Sequence, residues 1–117
     1  MTPEKDAELV AKYPLIFKEH YEGRFGFECS DGWFDIIDKL CFALMADTEG
    51  QPPVASQVKE KFGTLRFYVN DATDYQYELI DRAGKLSAHT CEVCGAPGTA
   101  DYKRSWIKVL CEEHKEK

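Results

Sequence analysis

The sequence predicts an α+β fold, with helices packed on a small antiparallel hairpin or sheet and a distinct C-terminal unit. Three observations carry that reading. Trp33, Ile36, Ile37, Leu40, Cys41, Leu44 and Met45 recur at spacings of three and four, the period of an amphipathic helix over 31–47. Leu65, Phe67 and Val69 alternate with Thr64, Arg66 and Tyr68, the period of a strand, and Gly63 separates them from a partly alternating run over 54–62. The tail reads Cys91-Glu-Val-Cys94-Gly95, then sixteen residues that include Gly95, then Cys111-Glu-Glu-His114.

Taken in order, residues 3–20 read as helical with an interruption. Pro3 suits a first turn, and Glu4, Asp6 and Glu8 complement a helix N-terminus. Pro14 removes a backbone donor and restricts Tyr13, so the chain breaks there, and Leu15, Ile16 and Phe17 start a second short helix. The glycine-rich segment 22–29 is a loop with a short extended piece near Phe25 to Cys29. Ser30 or Asp31 caps the 31–47 helix, and Gly50-Gln-Pro-Pro53 ends it. The hairpin over 54–69 follows. Asn70 to Asp74 breaks the second strand, and Thr73 or Asp74 caps a third helix over about 73–88. In the tail, Tyr102 to Leu110 supplies a strand or small hairpin, with Trp106 and Val109 or Leu110 packing over the Cys/His cluster.

The tail's spacing is that of a metal site. Each pair places two ligands close enough to reach one ion, and three thiolates with one imidazole complete a tetrahedral shell that suits Zn²⁺. Four unrelated residues would not explain two correctly spaced pairs. His89 is an alternative to His114, which is preferred because its spacing mirrors the first pair. Four protein ligands leave no open position, so Cys91, Cys94, Cys111 and His114 imply a structural zinc. A knuckle, a hairpin and ligands at a helix start give a treble-clef-like unit; a zinc-ribbon-like unit is the alternative. The chain then divides into an α+β core over 1–88 and a zinc-binding unit over 89–117, packed as one domain. Structural zinc contributes about 10–16 kcal/mol of apparent binding free energy in finger peptides, against about 5–15 kcal/mol for the stability of a whole domain.

Composition narrows the function classes. A hydrophobic content of 44% and an aromatic content of 13% argue for a packed core and against disorder. The N-terminus shows no basic region followed by an apolar one, and no apolar run approaches the ~20 residues of a membrane span. With the remaining thiols, Cys29 and Cys41, expected to stay reduced, the expected location is cytoplasmic and no membrane partner is expected. Cys41 reads as a small core residue; Cys29, beside a turn, is a candidate reactive thiol. The first fifty residues carry 11 acidic and 5 basic side chains, and the rest carry ten of each. The acidic half disfavours nonspecific contact with nucleic acid and fits a partner with a basic surface, although an ordinary solubilising surface has the same look.

A candidate binding surface comprises Glu28, Asp31, Trp33, Lys59, Lys61, Arg66, Lys103, Arg104 and Trp106. Lys59, Lys61 and Arg66 lie among the aromatics Phe62 and Tyr68, and Lys103, Arg104 and Lys108 flank Trp106, a pattern that can grip phosphates and stack bases. The bland reading is a solvated strand face, with Glu112, Glu113 and Glu116 opposing the tail's cations. Glu28, Asp31 and Asp35 form an acidic cluster able to do acid–base work, but Asp31 is more simply a cap and Asp35 a first-turn charge. No catalytic residue is assigned.

The motifs Asp31-Gly32-Trp33-Phe34-Asp35, Lys59-Glu-Lys-Phe-Gly63-Thr-Leu-Arg66-Phe-Tyr68 and the CxxCG…CxxH tail resemble small phage and prophage proteins with a C-terminal zinc motif. The likeness spans about residues 13 to 114. It supplies no catalytic residues, and it implies a protein that acts by binding host proteins, defence systems among them. The leading expectation is a zinc-stabilised protein-binding module directed at a host defence or nucleic-acid-handling protein. A nucleic-acid-binding zinc protein is less favoured. The third alternative is a small enzyme with a site between the 31–47 helix and the 54–69 hairpin, using Glu28, Asp31, Lys61 and Arg66.

Overall fold

A computed structural model describes residues 1–18, 26–47, 51–103 and 105–115. Among these the elements run α1 (Pro3–Lys12), β1 (Phe27–Glu28), a 3₁₀ turn (Asp31–Trp33), α2 (Phe34–Asp47), β2 (Ala55–Lys61), β3 (Thr64–Val69), α3 (Asp74–Ser87), β4 (Thr99–Asp101) and β5 (Lys108–Leu110). The fold is α+β, as expected.

α1 begins where Thr2 caps the N–H of Lys5 and ends one residue before Tyr13, whose N–H still reaches the Leu9 carbonyl at 3.0 Å. Pro14 stops it, but the expected helical restart at 15–17 does not form. The N–H groups of Ile16 and Phe17 both turn back on the Tyr13 carbonyl, and the Ile16 carbonyl accepts from Ala55 N–H at 2.8 Å. That backbone anchors β2, and Ile16 and Phe17 enter the core from a turn. The remainder of the expected first helical region, with His20, and the approach to the extended piece at Phe25 lie outside the described residues.

The expected hairpin is present, with Val58 opposite Phe67, Lys59 opposite Arg66 and Lys61 opposite Thr64. Its turn has two residues, Phe62 and Gly63, with φ of 54° and 86°. Two successive positive φ values match the right-handed twist of the flanking strands. The extended piece near Cys29 is β1, which pairs parallel to β2, Phe27 beside Val58 and Glu28 beside Lys59. The sheet is therefore mixed and three-stranded, a departure from the purely antiparallel expectation. Phe27 explains it: its ring meets Phe17 edge-on at 5.0 Å, which lays the strand alongside β2.

One sheet face carries Phe27, Val58, Leu65 and Phe67, all buried with Ile36, Ile37, Leu40, Cys41 and Leu44 of α2. Each such side chain contributes about 1.5–3 kcal/mol on leaving water. The opposite face carries Glu28, Lys59, Arg66 and Tyr68 toward solvent. α3 is closed at its start by a reciprocal Thr73–Gln76 capping box, and Gln76 Nε2 also donates to Asp47 Oδ2 at the end of α2. At its far end Ser87 Oγ accepts the Leu65 N–H at 2.8 Å, fastening α3 to the edge of β3. α1 and α2 are tied by the Tyr13 hydroxyl, which donates to Asp38 Oδ1 at 2.5 Å, beside the Lys12–Asp38 ion pair. Burial and this hydrogen bond push the Tyr13 phenol up. Burial acts to raise the Asp38 carboxyl, but the Tyr13 hydroxyl and Lys12 outweigh it and hold it below the usual range.

Candidate metal centre

The ligand atoms of Cys91, Cys94, Cys111 and His114 all lie within 4.8 Å of one another, placed to hold one metal ion. Cys94 Sγ is 3.7 Å from Cys111 Sγ, and His114 Nδ1 is 3.7 Å from Cys91 Sγ and 3.2 Å from Cys111 Sγ. His89, the alternative ligand, is not in the cluster.

The local fold explains the convergence. In the first pair, Gly95 N–H bonds the Cys91 carbonyl at 2.9 Å, and Gly95 takes the expected positive φ, 84°. Cys91 N–H reaches the Ala96 carbonyl at 2.7 Å, which aims both thiols to one side. β4 and β5 then form an antiparallel hairpin with Thr99 opposite Leu110. Its first strand starts before Tyr102, earlier than expected. The hairpin delivers Cys111 and His114, which share one turn because the N–H groups of His114 and Lys115 both bond the Cys111 carbonyl.

The electrostatics favour the thiolate at Cys91 and Cys111 but not at Cys94, where the Ala96 backbone acts to lower the thiol and burial with the Cys91 and Cys111 thiols outweighs it. Burial raises the Cys91 thiol, but backbone groups of Cys111, Cys94 and Val93 outweigh it and bring it down to about 6. Burial likewise opposes ionisation of Cys111, and the His114 imidazole overcomes it. His114 is raised in turn by the hydrogen bonds to Cys111 and Cys91. A metal replaces those protons, so loading the site releases acid.

Glu92, between the first two ligands, is a residue of the site that the sequence reading missed. It is 1% exposed. Its Oε2 accepts the Ser30 N–H at 3.0 Å and its Oε1 meets Lys108 Nζ at 3.4 Å. Its own N–H donates to the Val109 carbonyl, and its carbonyl accepts Gly32 N–H at 2.7 Å. Gly32 is required by this close approach: a Cβ there would lie 2.2 Å from the Cys91 carbonyl oxygen. Trp33 Nε1 completes the seam by donating to the Thr90 carbonyl at 3.0 Å. No local spacing signals the contacts with Ser30, Gly32 and Trp33, since they join residues about sixty positions apart.

The other singled-out residues are dispersed. Trp33, expected on a binding surface, is fully buried at this seam, because its ring fills the joint between α2 and the metal unit. Trp106, expected to pack over the cluster, is 70% exposed, and Val109 and Leu110 supply the buried side chains there instead. Asp31 accepts the Thr2 N–H and lines a depression with Val93. Glu28 pairs with Gln57 Nε2. Arg66 lines a groove against α3, and Lys59 and Lys61 line another with Trp106. Glu28, Asp31, Lys61 and Arg66 are thus not gathered around one cleft. Lys103 is exposed, and its N–H donates to Asp101 Oδ1 at 3.0 Å; Arg104 lies outside the described residues. The thiols of Cys29 and Cys41 are buried; burial pushes Cys29 up to about 12, against reactivity, and raises Cys41 as well. No described helix is long and apolar enough to cross a membrane.

Compared with known proteins, the chain matches no family model, no curated protein and no solved structure.

Proposed function

We propose that the chain is a zinc-stabilised protein-binding module in which the metal builds shape. The observation that carries this is the closed Cys₃His shell. With metal–sulfur bonds of about 2.3 Å, the edges of a tetrahedron joining two thiolates are about 3.8 Å, which the 3.7 Å Cys94–Cys111 separation matches. The protein supplies all four ligands, so a zinc there has no position for substrate or water. The order of knuckle, hairpin and ligand-bearing turn is that of a treble clef. Of the groups weighed for catalysis, Asp31 is held by Thr2, Glu28 by Gln57, and the Cys29 thiol lies in the core.

The partner in this reading is a protein with a basic surface, docking on the exposed acids Glu4 and Glu8 of α1 and Asp35 of α2. The likeness to phage proteins points to a host defence or nucleic-acid-handling protein in the cytoplasm, where thiolate ligands stay reduced. Metal analysis of the purified chain should find about one zinc. Affinity capture from bacterial lysate should recover a partner that the triple variant Glu4→Lys, Glu8→Lys, Asp35→Lys no longer holds. A metal-free protein, or capture indifferent to those three changes, would overturn the reading.

A further inference from the structure

The solvent face of the β2–β3 hairpin carries a pattern that folding does not explain. Lys59 and Arg66 are direct partners on adjacent strands, about 5 Å apart at their Cα atoms. Like charges so placed repel one another, and Glu28 of β1, beside Lys59 on the same face, offsets part of that repulsion. Arg66 Nε is buried and has no hydrogen-bond partner among the described residues. Beyond this pair the surface opens into a groove on each side. One, about 480 Å³, runs between β3 and α3 and presents Tyr68 and Tyr77. The other, about 460 Å³, lies between the hairpin turn and the loop before β5 and presents Phe62 and Trp106.

The second groove holds the stronger anomaly. Phe62 has a φ of 54°, a left-handed backbone that a bulky side chain adopts only at a cost. Asparagine is the usual residue at that place in a two-residue hairpin turn. Yet the Phe62 ring is 71% exposed, and Trp106 across the groove is 70% exposed, so neither ring recovers that cost by burial. Lys61 Nζ lies over the Phe62 ring at 5.6 Å, and the Glu60 carboxylate, which also lines this groove, accepts the Gly63 N–H. Asp81, the acid in the first groove, is paired with Lys85. Along the hairpin the surface therefore reads ring, cation pair, ring.

We propose that this face is a binding site for single-stranded nucleic acid, with phosphates over Lys59 and Arg66 and bases stacked on Tyr68 or Tyr77 at one end and Phe62 and Trp106 at the other. A phosphate over the pair relieves its repulsion and gives the Arg66 guanidinium an acceptor. Exposed rings flanking cations are what a polymer of alternating anion and planar base requires, and such stacking tolerates any sequence. The site uses none of the acids assigned above to a protein partner, so either assignment can fail without the other.

The test is fluorescence anisotropy with labelled dT12 and rU12 and the metal-loaded full chain. At about 50 mM salt at least one strand should bind, with log affinity falling by about 0.7 for each phosphate neutralised as log salt rises. Trp106→Ala and Phe62→Asn should each weaken binding about tenfold. Phe62→Asn should leave the melting temperature unchanged or higher, since asparagine accepts the turn's backbone. The double variant Lys59→Ala, Arg66→Ala should flatten the salt slope by about 1.4. No binding of either strand at 20 mM salt, or binding that ignores the aromatic substitutions, overturns the proposal. So does a result in which those substitutions abolish capture of a protein while leaving oligonucleotide binding intact.

Discussion

The body of the fold and the 89–115 unit are held by different forces. In the body the large fully buried side chains are apolar, Leu9, Ile16, Phe17, Trp33, Ile37 and Leu44 among them, with Ser87 a small polar exception. In the unit the buried side chains are Cys91, Glu92, Asp101, Val109 and Leu110, so two acids and a metal ligand sit beside only two aliphatic groups. A shell this polar cannot offset the entropy of ordering its own backbone, which costs about 1–2 kcal/mol per residue. The contrast teaches that one region is folded by water's exclusion and that the other, on the proposed function, is folded by coordination. The seam of Gly32, Trp33 and Glu92 is where the second leans on the first.

The most severe way to break that contrast is to withdraw the metal. Chelation or Cys94→Ser should disorder 89–115 while the helical signal of α1–α3 survives. Heteronuclear NMR should show the tail's amide resonances collapse and those of α2 persist with shifted positions near Gly32. The seam supplies hydrogen bonds from Ser30, Gly32 and Trp33, each worth about 1 kcal/mol, so the body's melting temperature should fall by about 12–24 °C. Simultaneous loss of the helices would show that the regions are not separable. Gly32→Ala attacks the seam alone. Its methyl would overlap the carbonyls of Cys91 and Glu92, and the forced backbone shift should cost about 1–3 kcal/mol in denaturant unfolding. Metal affinity should drop with it; unchanged affinity would mean the knuckle is indifferent to what it docks on.

The smallest effect belongs to the body alone. Tyr13→Phe removes the hydrogen bond to Asp38, a loss of about 1–2 kcal/mol, and should leave metal affinity untouched. Asp38 titrates below its usual 3.8 in the folded chain. Its contribution is therefore complete above that value and disappears as pH falls through the lower folded one. Acid unfolding curves of Tyr13→Phe should show a shallower loss over that window than the parent.

Much of the body was legible because its signals are local. The three-and-four spacing from Trp33 to Met45, the alternation from Thr64 to Val69 and the Thr73 cap each concern neighbours in sequence, and the ligand pairs are spaced within a single turn. What escaped depends on docking. The amphipathic pattern marks Trp33 as apolar but cannot say that its ring belongs to the joint with Thr90. Trp106, an apolar residue near a metal site, reads as its cover together with Val109 or Leu110, but only the aliphatic pair is buried and the indole is left in water. Gly63 alone reads as the hairpin turn; that Phe62 shares the left-handed backbone follows from register, which only the paired strands fix.

The Ser87 hydroxyl on the Leu65 amide has a consequence for behaviour at high concentration. A sheet ending in a free row of amide donors recruits further strands and grows into aggregates. Here one border is a strand of two residues, too short to template pairing, and the other has a donor already occupied by the helix beside it. Ser87→Ala should therefore show itself first as slow self-association in concentrated solution.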